Sequence, residues 1–159
     1  MKQYIQPFIK VCKNVFKEFM GLEIDAKMPY FTDKDATTEW DVSGIIGLTG
    51  EAKGSVVISL KENLAIRLTS ILTGSAHKAL DADVVDAVGE IINIISGNVK
   101  QELEESFRLV ISLPTIVRGK EHVINWPDGL ARVICIPFIL SNSTDRFTLS
   151  VALEAVKSG

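Results

Sequence analysis

Between residues 81 and 106 the chain separates into two faces at helical spacing. Val84, Val85, Val88, Ile91, Ile92, Ile94 and Ile95 make a wide apolar surface. Asp86, Glu90 and Asn93 follow one another at steps of four and three, which puts them on one stripe of the other side. Asp81 or Asp83 suits the N-cap, and acids in the first turn complement the helix dipole. The same period runs over 4–20, through Tyr4, Phe8, Val11, Val15, Phe16 and Met20. Pro7 is tolerated only near a first turn, so the regular helix is expected to begin close to it, and Gly21 is a natural stop. A short apolar-periodic helix is expected over 62–72, ended by Gly74, with 75–80 as a connection.

Strand patterns occupy 41–48 and 55–60, with a hairpin turn of Thr, Gly, Glu, Ala, Lys and Gly between them. Another strand is expected over 107–113, ended by Pro114. Residues 130–140 and 146–153 form a second hairpin around a polar turn, and Pro137 marks an edge or a bulge. Residues 22–39 read as extended without clear elements, and 119–129 are polar and turn-rich. The order α-β-β-α-α-β-β-β predicts an α+β fold. A mostly antiparallel sheet carries a long N-terminal helix and a long central helix packed on it. No linker or tandem repeat is legible, so 1–159 reads as a single domain.

Composition narrows the function. The 159 residues are 47% hydrophobic, enough for a substantial core, and net charge is −3. That mild acidity gives no footprint for nucleic acid. No apolar run approaches a membrane span, and the N-terminus lacks the uninterrupted apolar core of a signal peptide, so a cytoplasmic protein is expected. Cys12 and Cys135 sit in apolar surroundings and read as reduced core residues. His77 and His122 have no ligand cluster at metal-binding spacing. Gly44, Gly47, Gly50 and Gly54 read as hairpin glycines, because no Gly-Lys-Ser/Thr follows them.

The stripe therefore holds the candidate chemistry. A carboxylate at Glu90 can pair with a cation on another molecule. The carboxamide of Asn93 carries both donor and acceptor, so it can hold a water in a chosen orientation. Asn is a poor mid-helix residue, which makes Asn93 more telling than its neighbours. Asp86 is also what a helix start favours. Gly97 lies one turn beyond Asn93; it and Ser96 either leave room for a partner surface or let the helix pack closely on its own sheet. Such a set suits a reaction in which water attacks an electrophile already activated elsewhere, where positioning supplies most of the catalysis.

Three blocks, YIQPFIKVCKNVF, DVSGIIGLTGEAKGSVVISL and DAVGEIINIISGNVKQELEE with ISLPTIVRG, resemble the CheC/CheX/FliY group of chemotaxis phosphatases, and its CheX branch most. The group's signature is an acid or Ser, then Glu-x-x-Asn, then a downstream Pro; Asp86, Glu90, Asn93 and Pro114 fill it. CheC proteins carry two such motifs, whereas this chain shows one. The resemblance implies hydrolysis of the aspartyl phosphate on the response regulator CheY. Glu90 would dock on a CheY lysine and Asn93 would orient the attacking water, with Asp86, Ser96 and Gly97 also at the partner surface. No cofactor is implied in this chain, and Mg2+ belongs to CheY. Members of the branch dimerise through sheet edges, which implies a homodimer. A non-catalytic CheY-binding or flagellar-switch adaptor of the same fold is the rival reading.

Overall fold

The computed structural model describes residues 2–32, 39–126 and 132–156. Helix α1 (Lys2–Met20) leads to β1 (Ile24–Ala26), β2 (Tyr30–Thr32) and the hairpin β3 (Val42–Gly50) and β4 (Ala52–Leu60). Helices α2 (Glu62–Thr73) and α3 (Ala82–Glu102) follow. The chain ends in β5 (Leu109–Ile111), β6 (Thr115–Arg118), β7 (Val133–Leu140) and β8 (Arg146–Ala155). The strands form one antiparallel sheet ordered β1-β7-β8-β4-β3-β5, with β2 also on β7 and β6 also on β3. The expected α+β architecture is the observed one.

Burial of apolar helix faces seats the helices on the sheet. In α1, Phe16 stacks on Phe147 of β8 at 4.7 Å, and Phe147 stacks on Phe138 of β7 at 5.1 Å. In α3, Val88 and Ile92 lie over Gly44 of β3. A Cβ at Gly44 would stand 3.1 and 3.2 Å from their methyl carbons, so glycine there sets how closely α3 approaches. Cys12 and Cys135 are both buried free thiols, and burial pushes the Cys12 thiol up, away from nucleophilic behaviour.

Three expectations change and one is narrowed. The helix α1 begins well before Pro7, which sits inside it. Losing one backbone hydrogen bond costs about 0.5–1.5 kcal/mol net. Burying Tyr4 and Ile5 ahead of it gains about 1.5–3 kcal/mol for a large side chain. The first hairpin turn is much tighter than its composition suggests, because β4 extends to pair with β8 as far as Ala52. The segment after Pro114 is a further strand, β6, laid on β3. Of the two expectations for Pro137, the bulge is the one observed: its strand is paired on both sides, and the extra residue falls in the facing segment 27–29, where Lys27 N donates to the Pro137 carbonyl at 2.8 Å.

The topology also repeats. Helix α1, broken edge β1/β2 and hairpin β3–β4 are matched by α3, broken edge β5/β6 and hairpin β7–β8. Each broken edge pairs with the first hairpin strand of the other half. Each break is a bulge. Residues 112–114 face only 46 and 47 of β3, and residues 27–29 face only 136 and 137 of β7.

Candidate functional site

Helix α3 carries the site because its start is fixed and its apolar face is spent. The Asp81 side chain caps the helix, accepting from Val84 N at 3.0 Å. That bond, with a smaller effect of His77, holds the Asp81 carboxyl below its usual range. Val84, Val88, Ile91, Ile92, Ile95 and Val99 are all buried. Asp86, Glu90 and Asn93 are exposed on the remaining stripe. Among the described residues, no ion pair or side-chain hydrogen bond engages any of the three.

The bulge in the β5/β6 edge completes the surface. Pro114 packs on the helix at Gly89, where a Cβ would lie 3.5 Å from the proline ring. Together they frame a shallow depression of about 580 Å³, lined by Val85, Asp86, Gly89, Glu90, Asn93, Leu113, Pro114 and Ile116. Asp86, Glu90, Asn93 and Pro114 are thus brought together. Gly97 continues the stripe and nothing lies within 4 Å of where its Cβ would be, so close packing on its own sheet is not what requires glycine there.

Ser96 is a correction. It is only 2% exposed, and its Oγ finds no hydrogen-bond partner among the described residues. Its position on the helix turns it toward Ile92 and Ile95 rather than along the stripe, so it cannot meet a partner directly.

Of the two histidines, His77 differs from expectation. The connection before α3 folds back, and His77, Asp81 and Asp83 place ligand-type atoms within 4.8 Å of one another. The cluster serves the helix start. His77 Nε2 lies 3.0 Å from Thr73 Oγ1, its Nδ1 is 3.6 Å from Asp81, and Asp81 is already the cap. His122 Nδ1 donates to the Gly119 carbonyl at 2.8 Å, and its Nε2 lies 2.7 Å from the buried Ser43 Oγ, so it pins a loop.

The lining sets the chemistry. Among the described residues it offers two carboxylates, one carboxamide and apolar carbon, with no Lys, Arg or His. A free phosphate would meet repulsion from Asp86 and Glu90, with only the Asn93 amide to donate to it. A cationic group from outside is attracted to the acids, and Asn93 can then hold a water beside whatever that group brings.

Comparison with known proteins shows the family. The family described as chemotaxis phosphatase CheX matches residues 42–138, which include the stripe and the bulge. The chain therefore belongs to the CheX family of chemotaxis phosphatases. It is 31% identical to the chemotaxis protein CheX of Vibrio vulnificus, with a TM-score of 0.84 over 96% of this chain and 99% of that one. It is 32% identical over 79 residues to the CheY-P phosphatase CheX of Thermotoga maritima. That match takes in 48% of this chain and 51% of the relative, so the chain spans about half the length of this curated protein. A CheX of Borrelia burgdorferi, solved as a complex with CheY, BeF3 and Mg2+, shares the fold at 24% identity and a TM-score of 0.80, over 96% of this chain and 98% of that one. Among the described residues, no helix is long and apolar enough to cross a membrane.

Proposed function

We propose that this chain hydrolyses the aspartyl phosphate of a CheY-type response regulator. The observation that carries the reading is the unspent set Asp86, Glu90 and Asn93 around a depression without cations. Such a surface can act only on an electrophile that arrives with its own positive charge. The name of the Thermotoga relative, a CheY-P phosphatase, supports the same chemistry.

Glu90 docks on a lysine beside the partner's phosphorylated aspartate. Asn93 enters that site and hydrogen-bonds a water in line with phosphorus. The water oxygen forms a bond to phosphorus as the bond to the aspartyl oxygen breaks, leaving a free carboxylate and inorganic phosphate that takes up the water's hydroxyl, and the water's other proton passes to a phosphate oxygen or to solvent. Asp86 adds negative charge at the rim. The reading requires no cofactor in this chain; Mg2+ on the partner would neutralise phosphoryl charge.

The finer partner reading is a homodimer. The β1/β2 edge exposes Met28, Tyr30 and Phe31 around an apolar depression of about 430 Å³ that Ile5, Pro29 and Ile134 also line. Such a surface suits a second copy of the chain. The adaptor reading, in which CheY is held without turnover, predicts tight binding and no phosphate release.

The test is decay of phospho-CheY with wild type, Glu90→Ala and Asn93→Ala. Accelerated decay with wild type, weaker docking with Glu90→Ala and lost turnover with Asn93→Ala are expected. No acceleration by wild type overturns the enzyme reading.

A further inference from the structure

The bulge brings to the site one side chain that the chemistry above leaves unused. Leu113 is 86% exposed, more than any other large hydrophobic among the described residues. It lines the same depression as Asp86, Glu90 and Asn93. It is also held in place. Ser112 N donates to the Gly47 carbonyl at 3.0 Å, Ser112 Oγ accepts from Gly47 N at 2.8 Å, and the same hydroxyl donates to the Leu113 carbonyl at 2.9 Å. Just beyond, Pro114 rests on Gly89 of α3. The bulge is therefore tied to β3 at one end and to the helix at the other, and the position of Leu113 relative to Asn93 is fixed.

A partner that brings its phosphoryl group to Asn93 must also cover Leu113, because both line one depression. We infer that Leu113 is the apolar anchor of the docking surface and selects among phosphorylated response regulators by filling an apolar hollow beside the phosphorylation site. The inference rests on the proposed function above. Acids on the helix steer a cationic rim toward the site, while an apolar side chain on an anchored backbone tests its shape. The occupant is the response regulator, since the anchor is continuous with the surface that addresses its phosphate.

The experiment uses a panel of CheY proteins. Affinity is measured by calorimetry on CheY loaded with beryllium fluoride and Mg2+, and turnover by phospho-CheY decay, for wild type, Leu113→Ser, Leu113→Met and Val110→Ser. Val110 is a matched control. It is 61% exposed and pairs with Thr49, which points it to the opposite face of the sheet. Leu113→Ser is expected to raise Kd and KM roughly tenfold with kcat and Tm unchanged. Leu113→Met is expected to restore both constants, and Val110→Ser to change neither. Equal Kd for Leu113→Ser and wild type overturns the anchor and leaves the phosphatase reading standing. Leu113-dependent binding without accelerated decay keeps the anchor and overturns the phosphatase reading. Absence of binding by wild type across the panel overturns both.

Discussion

At the β5/β6 end of the sheet, a bulge carrying Leu113 and Pro114 meets α3 beside Glu90 and Asn93. At the β1/β2 end, a bulge carrying Met28 and Pro29 meets α1 beside Ile5 and Gln6. Met28 is 85% exposed, as Leu113 is at the other end. Matching buried helix positions, Phe8 with Ile92, Val11 with Ile95 and Val15 with Val99, sets Gln6 where Glu90 stands and Ile9 where Asn93 stands. The backbone builds the same cradle twice, and the side chains differ: the helix supplies Asp86, Glu90 and Asn93 to one, while the edge supplies Tyr30 and Phe31 to the other. One cradle is acidic and amide-bearing, fit to address a phosphorylated partner. The other is apolar, fit to bury against another surface. A fold that offers two equivalent edges can thus give one to chemistry and the other to association.

The comparison can be broken most severely at the helix seat. Gly44→Val places carbon against Val88 and Ile92 and is expected to cost about 1–3 kcal/mol, read as a lowered Tm. Because α3 is displaced from the bulge, turnover should fall by more than stability alone explains. An unchanged Tm would show that α3 does not depend on this close approach. The next effect separates the two cradles. Met28→Ser should weaken self-association roughly tenfold, from the loss of one large apolar side chain, and leave CheY affinity unchanged. Analytical ultracentrifugation and calorimetry read the two sides; a loss of CheY affinity would mean that the edges are not divided as stated.

The smallest effects sharpen the assignment along α3. Gly97→Ala should stabilise the helix by about 1 kcal/mol, since no neighbour opposes the added carbon. If a partner backbone needs that space, CheY affinity falls while Tm rises. Ser96→Ala removes a buried hydroxyl without a partner and should be neutral or slightly stabilising, by about 0.5 kcal/mol, with kinetics unchanged. A fall in CheY affinity would return Ser96 to the partner surface.

Much of this was legible in the chain itself. The two-faced pattern of 84–95, an acid cap at Asp81 or Asp83 and the stop at Gly21 are local signals, and local physics satisfies them: Asp81 is the cap, and the positive φ of Gly21 turns the chain so that Leu22 N donates back to the Phe16 carbonyl at 3.1 Å. The long-range features were hidden. Thr115–Arg118 is too short to show its period, and Pro114 cuts it from β5, so its strand character comes only from pairing with β3. The repeated topology is masked because the helices carry different polar residues and α2 stands before the second half alone. The His77 cluster is local, with His77 and Asp81 four residues apart, but 75–80 read only as a connection and gave no sign that the ring would turn back to the cap. The stripe was visible as a stripe, but the bulge that turns it into a depression was not.

The most direct measurement is phospho-CheY decay with wild type and Asn93→Ala, alongside their affinities for beryllium fluoride-loaded CheY. If Asn93 positions the attacking water, wild type accelerates decay, and Asn93→Ala loses at least about a hundredfold in turnover while its affinity stays within a few-fold. Turnover by Asn93→Ala equal to that of wild type would contradict the role assigned to the stripe.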